Sequence, residues 1–140
     1  MSPRPVGRTQ NCGAAEGRVR LDQARAFLDV AELVGAEDNE LATPSVATAL
    51  AVLAGIAAAD AACCTVLGRR ARGQDHRQAV DLVAQVAHGG AAMSRHLRRL
   101  LAVKDDAHYG LLHVSHQRAT AALRQARQLV DTAADLLDES

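Results

Sequence analysis

One acidic residue, Asp60, interrupts a long alanine-rich run between Val46 and Leu67. An ionised carboxylate is costly to bury unless it has a partner. Asp60 must therefore meet an arginine, a helix N-terminus or a hydroxyl, or it must face a cleft or solvent. We expect a structural ion pair or hydrogen bond. A functional acid and an exposed position are the alternatives.

Arginine supplies nearly all the positive charge of the chain, in which Lys104 is the single lysine. A guanidinium group can bind phosphate through two hydrogen bonds. Two arginine clusters would form one RNA-binding surface with salt-sensitive affinity if they shared a face of the fold. Almost no aromatic residue is present to stack on bases, so a solvated face is the alternative. The clusters are Arg69, Arg70, Arg72 and Arg77, and Arg95, Arg98 and Arg99.

Arg70 and His76 are separated by five residues. An arginine and a histidine close together can stabilise an oxyanion and transfer a proton, which is the minimum for RNA cleavage without a metal ion. Chance also produces this spacing often. The histidines lack the spacing of metal ligands, and no glycine-rich phosphate loop, Ser–His–Asp order or paired catalytic carboxylates stand out. We therefore expect no metal site and no cofactor, and we favour a binding protein over an enzyme.

The length of 140 residues fits one domain with one core. The formal net charge is zero, so the chain as a whole has no positive electrostatic field that would attract nucleic acid or membranes. There is no Trp, one Phe and one Tyr, so small aliphatic side chains must fill the core. The run from Val46 to Leu67 is long enough to span a membrane. Because it contains Asp60 and much alanine, we predict a buried core helix and no membrane partner.

The three cysteines are Cys12, Cys63 and Cys64. Their number is odd and two are adjacent, so we expect no disulfide framework. Cys63 and Cys64 are instead predicted to be small buried residues of an intracellular protein. No N-terminal apolar segment has the features of a signal peptide, and we expect a cytoplasmic location.

Apolar residues recur at helical spacing along most of the chain. The pattern predicts an all-α fold, an up-and-down bundle of about five helices over residues 17–140, preceded by a flexible tail over residues 1–16. The polar segments 68–75 and 104–114 are predicted to be loops. The predicted helices are 18–34, 44–67, 76–88, 91–103 and, capped by Ser115, 116–137.

The order of these features resembles HEPN domains, the small helical proteins of prokaryotic toxin–antitoxin and nucleotidyltransferase-linked systems. The resemblance covers about residues 18–137 and implies a helical bundle that is usually a homodimer. Three stretches carry it: ALAVLAGIAAADAACC at 49–64; GQDH at 73–76 followed by Ala79 and Val80; and LLAVKDDAHYG at 100–110 followed by Val114, Ser115 and a long amphipathic helix.

The resemblance also implies where chemistry would lie. Active HEPN members are metal-independent ribonucleases with an Arg-x4-6-His motif near the dimer interface, in the C-terminal half. There this chain has Lys104 and His108, with Lys in place of Arg and three residues between them. Arg70 and His76 fit the spacing but precede the third helix. In some members a tyrosine just after the motif is modified by a partner nucleotidyltransferase, and Tyr109 is the single tyrosine here.

We therefore expect a homodimeric HEPN-like binding module with a degraded ribonuclease motif. Its expected partners are RNA or a nucleotidyltransferase-type antitoxin, in a toxin–antitoxin or defence setting. One alternative is an active metal-independent endoribonuclease toxin that uses Arg70 and His76, or Lys104 and His108. The other is a structural subunit of a larger complex.

Overall fold

The computed structural model describes residues 8–37, 43–73, 76–109 and 114–139. Five helices form the fold, and two short strands pair beside them. This confirms the predicted all-α bundle of about five helices. In chain order the elements are β1 (Thr9–Asn11), α1 (Ala14–Gly35), α2 (Thr43–Leu67), β2 (Arg69–Ala71), α3 (Arg77–Val83), α4 (Gly90–Tyr109) and α5 (His116–Glu139).

The alanine-rich helix α2 lies at the centre and contacts each of the other four helices. Its small side chains let the neighbours approach closely. A Cβ added at Gly55 would lie 2.5 Å from Cδ1 of Leu100 in α4, so a larger residue at position 55 would force the Leu100 side chain to shift. The length and composition of α2 would also suit a membrane span, but 67% of its apolar stretch is buried inside the bundle. The predicted buried core helix is confirmed.

Helix α1 runs antiparallel to α2. An added Cβ at Gly17 would lie 3.2 Å from the Ala61 carbonyl oxygen, whereas one at Gly35 would lie 3.8 Å from Cβ of Ala47. The early residues of α1 therefore lie beside the late residues of α2. This packing brings the first turns of α1 close to Asp60.

The ends of α3 and α4 differ from the sequence prediction. Helix α3 ends at Val83, five residues early, because the chain turns so tightly that a Cβ on Gly90 would lie 2.5 Å from the Val83 carbonyl oxygen. Helix α4 continues to Tyr109, so the predicted loop is wrong for residues 104–109. No glycine or proline interrupts that segment. Residues 110–113 of the predicted loop lie outside the described residues.

The end of the predicted tail is ordered. Residues 9–11 form β1, which pairs antiparallel with β2 and sets Gln10 opposite Arg70. The prediction of a flexible tail is therefore wrong for residues 8–16, and residues 1–7 lie outside the described part of the chain. The segment 68–75, predicted to be a loop, contains β2. Strand pairing between segments 60 residues apart leaves no periodic signal in either one.

A disulfide joins Cys12 to Cys64 across 52 residues, with 5.1 Å between their Cα atoms. The expectation that the chain has no disulfide is therefore wrong. Neighbouring residues on a helix point about 100° apart, so Cys64 reaches the chain just after β1 while Cys63 remains a buried free thiol. The burial predicted for Cys63 and Cys64 is confirmed.

Candidate functional site

Asp60 is buried in α2, and its carboxylate is paired. Its Oδ2 accepts hydrogen bonds from Nη2 of Arg20 at 2.8 Å and from Nε of Arg20 at 3.2 Å. The side chain of Asp60 is only 7% exposed, against 26% for that of Arg20. The expected ion pair of Asp60 is confirmed. Its partner Arg20 was missed, because the sequence does not show which residue of α1 faces Asp60.

Strand β2 brings a second arginine to the same carboxylate. Nη1 of Arg70 lies 3.8 Å from Oδ2 of Asp60, and its Nη2 donates a hydrogen bond of 3.3 Å to the side-chain oxygen of Gln10. The backbone N–H of Arg72 donates to the Arg8 carbonyl at 2.8 Å. Pairing with β1 therefore holds the segment that carries Arg70 and Arg72.

These residues line an open cleft of about 350 Å³, which we call the Asp60 cleft. Arg20, Asp60, Arg70, Arg72 and His76 supply its charged and polar side chains, and Ile56 contributes to its apolar wall. Arg70 and His76, selected from the sequence by spacing alone, thus line one cleft together with Asp60. Asp60 thus has the arginine partner that we expected, and it also faces a cleft, which was the alternative.

Opposing effects act on the pKa of Asp60. Burial raises the pKa, while the hydrogen bonds and charge of Arg20, followed by the charges of Arg70 and His76, lower it. The pKa is raised overall. Water reaches the side chains of Arg20 and Arg70, which are 26% and 33% exposed, and screens their attraction. The loss of hydration at the buried carboxylate therefore outweighs the attraction of the two arginines, and the pKa of Asp60 rises.

A second cleft, of about 380 Å³, shares Arg20 and Arg70 with the first. We call it the amide cleft, because Gln10, Asn11 and Gln23 also line it. Arg20 donates a hydrogen bond of 2.6 Å to Gln23. The two arginines therefore lie between neighbouring clefts and face both.

The two arginine clusters meet at one place among the described residues. Arg77 of α3 and Arg98 of α4 line a common cleft of about 340 Å³. Arg69 points elsewhere, with its Nη2 donating to the side-chain oxygen of Gln85 at 3.3 Å. Arg95 and Arg99 are exposed on α4 and line none of the clefts described here. Among the described residues, Arg77 and Arg98 are therefore the members of the two clusters that share a cleft.

Lys104, His108 and Tyr109 lie in the last turns of α4. The spacing of four residues puts Lys104 and His108 on one side of the helix. The side chains of His108 and Tyr109 lie outside the described part of the structure. Their predicted roles remain predictions. Within the residues that the structure describes, no group of three His, Cys, Asp or Glu side chains could hold a metal ion.

Comparison with known proteins gave no match to a protein-family model, to a curated protein or to a solved structure. The resemblance to HEPN domains therefore stays a prediction that rests on the sequence.

The Arg20–Asp60 pair gives an asymmetric stability prediction. Arg20→Met leaves a buried carboxylate without its close partner and should cost about 2–3 kcal/mol of unfolding free energy at pH 7. Asp60→Asn leaves a partly exposed guanidinium beside an amide and should cost about 1 kcal/mol. Urea denaturation measures both, with the exposed Arg25→Met in the same helix as control. Equal losses in the two variants would contradict this account.

The same pair predicts a pH dependence. The folded state binds the Asp60 proton more tightly than the unfolded chain does, because the folded pKa is raised. Stability from this group is therefore highest in acid and falls as pH rises from the unfolded to the folded pKa. Without Arg20 the folded pKa rises further, so the deficit of Arg20→Met should shrink between pH 7 and pH 4.

Proposed function

We propose that the protein is a HEPN-like binding module that takes a phosphate of single-stranded RNA into the Asp60 cleft. One observation carries the proposal: three arginines, Arg20, Arg70 and Arg72, line the cleft with the single carboxylate of Asp60. Three guanidinium groups outweigh one carboxylate, so the cleft attracts anions. Pairing with Asp60 also fixes the Arg20 side chain before any ligand arrives, which reduces the entropy lost on binding.

The positions of the two clefts bear on the shape of the ligand. The amide cleft adjoins the Asp60 cleft across Arg20 and Arg70. A chain with a phosphate at the arginines could therefore extend into both clefts. Side-chain amides donate and accept hydrogen bonds, as the edges of unpaired bases require. Glu16 also lines the amide cleft, so this arrangement favours a strand whose phosphate lies at the arginines and whose base enters the amide cleft, over an isolated inorganic anion.

We expect Arg72→Ala to weaken binding of a fluorescently labelled single-stranded RNA roughly tenfold, because one charge-assisted phosphate contact is lost. The slope of log affinity against log salt should fall by about one. Arg72 is the better test than Arg70, since no contact to Asp60 is removed. Fluorescence anisotropy measures both quantities.

The matched control is Arg124→Ala, which removes an exposed arginine from α5. Its affinity should equal that of the unchanged protein. If Arg72→Ala and Arg124→Ala weaken binding equally, the protein attracts RNA only through its general charge. If the unchanged protein does not bind RNA, the proposed function is wrong.

A metal-independent ribonuclease is the second proposal, favoured by the presence of Arg70 and His76 in the same cleft. In such a reaction His76 would take the proton of a ribose 2′-hydroxyl as its oxygen attacks the adjacent phosphorus. Arg70 would stabilise the charge that develops on the phosphoryl oxygens. The bond from phosphorus to the 5′-oxygen breaks, that oxygen takes a proton from water, and His76 returns its proton to solvent, giving a 2′,3′-cyclic phosphate end.

On this second proposal His76→Ala should slow RNA cleavage about a hundredfold or more in the presence of EDTA, with little change in RNA affinity. His108→Ala serves as the comparison, because it removes the other histidine suggested by the resemblance. Gel analysis of end-labelled RNA resolves the products. Intact RNA after incubation with the unchanged protein would leave the binding module as the function.

We further propose that two copies associate through the exposed side of the α1–α2 pair. Val46 and Leu53 are 45% exposed and one heptad apart on α2, so they share a face. Val30 and Leu33 of α1 are 47% and 70% exposed. Exposed apolar side chains on both of these antiparallel helices are the observation that supports this surface.

Light scattering should therefore give twice the chain mass of 14.7 kDa. Leu53→Glu should reduce it to a single chain, because the carboxylate would be desolvated in the interface. Ala121→Glu on the exposed side of α5 is the control and should leave the mass unchanged. A monomeric unchanged protein would contradict the homodimer and favour the structural subunit of a larger complex.

A further inference from the structure

The Cys12–Cys64 disulfide lies next to the clefts and joins two of the segments that form them. Cys12 directly follows β1, and its N–H donates to the Gly68 carbonyl at 3.0 Å. Cys64 is in the last turn of α2, one turn beyond Asp60. The bond thus ties the N-terminal strand to the helix that carries the buried acid.

Strand β1 has little else to hold it. It spans three residues and pairs with a β2 of equal length, and two-stranded ladders of this kind are at best marginally stable alone. Gln10 is exposed, as is Asn11. The strand therefore brings almost no apolar surface of its own to the bundle, and the covalent bond supplies the missing restraint.

Three features of the two clefts depend on β1. Gln10 accepts the hydrogen bond from Arg70. Gln10, Asn11 and Cys12 line the amide cleft. The Arg8 carbonyl accepts the backbone hydrogen bond of Arg72. If β1 leaves β2, the amide cleft loses one wall, and Arg70 and Arg72 lose the contacts that hold them.

We propose that the disulfide is a redox latch, through which a dithiol reductant weakens anion binding at the two clefts. This inference rests on the proposed function, because it concerns regulation of the same site. Cys12 is half-buried and lines the amide cleft, so a small dithiol can reach the bond.

The reduction step balances with a dithiol. One reductant thiolate attacks Sγ of Cys12, which is the half-buried end of the bond, while Cys64 is 1% exposed. The sulfur–sulfur bond breaks, Cys64 leaves as a thiolate and takes up a proton. The second reductant thiol then attacks the mixed disulfide, which frees Cys12 as a thiol and closes the disulfide of the reductant. Two electrons and two protons pass to the protein.

The neighbouring Cys63 does not compete in this exchange. Burial and the charge of Asp60 raise the pKa of Cys63 to about 12, against a small opposite effect of Arg69. Thiolate is the attacking species in disulfide exchange, so Cys63 is almost wholly protonated at neutral pH and inert. The latch therefore opens by external reductant and does not rearrange to a Cys12–Cys63 bond.

The test compares the full-length protein oxidised and after dithiothreitol treatment, with fluorescence anisotropy of labelled single-stranded RNA. Reduction should weaken binding severalfold. Cys12→Ser should bind as weakly as the reduced protein and should not respond to dithiothreitol. Cys63→Ala is the matched control, since it keeps the disulfide, and it should respond as the unchanged protein does. Equal binding by the oxidised and reduced forms would overturn the regulation.

Hydrogen exchange followed by mass spectrometry separates the latch from the proposed function. Reduction should remove protection from residues 9–12 and 69–72 while the amides of α2 and α5 stay protected, which shows that the bundle remains folded. Retained protection of β1 in the reduced protein would overturn the latch, whatever the RNA data show. Absence of RNA binding in the oxidised protein would instead overturn the RNA proposal, and the exchange pattern would still decide the latch.

Discussion

A carboxylate buried in the middle of an alanine-rich helix must be neutralised or paired, and the Arg20–Asp60 contact meets that requirement. The pair constrains the register of α1 on α2, since Arg20 must lie beside Asp60 for both of its hydrogen bonds to form. It also fixes one guanidinium group at the floor of an open cleft. The same interaction that permits burial of Asp60 therefore builds part of an anion site.

The small residues of α2 make this arrangement possible. Alanine on most sides lets four helices approach one helix, and Gly55 leaves the space that the Leu100 side chain occupies. Close packing of small residues buries most of the Asp60 side chain and leaves only its cleft side open to water, so desolvation is the largest effect on the pKa of its carboxylate. A bundle with larger core side chains would hold its helices farther apart and would give this acid a wetter environment.

Local pattern predicted most of the fold. Helical spacing of apolar residues gave the five helices, and Ser115 caps α5 as expected, with its Oγ accepting from the Arg118 N–H at 3.2 Å. The sequence also singled out Asp60, Arg70 and His76. What it could not provide were pairings across the chain: Arg20 with Asp60, β1 with β2, and Cys12 with Cys64. Each pairing depends on which segments meet in the folded chain, and the local sequence around a residue does not show this.

The distances along the chain between these partners bear on folding. Arg20 and Asp60 are 40 residues apart, Gln10 and Arg70 60 apart, and the disulfide closes a span of 52. Contacts of such separation carry a large loop-closure entropy and form late, after the local helices. The two clefts consequently exist in the fully assembled bundle and not in partly folded states. Ligand binding would then draw only on the native population, which makes it a direct measure of correctly assembled molecules.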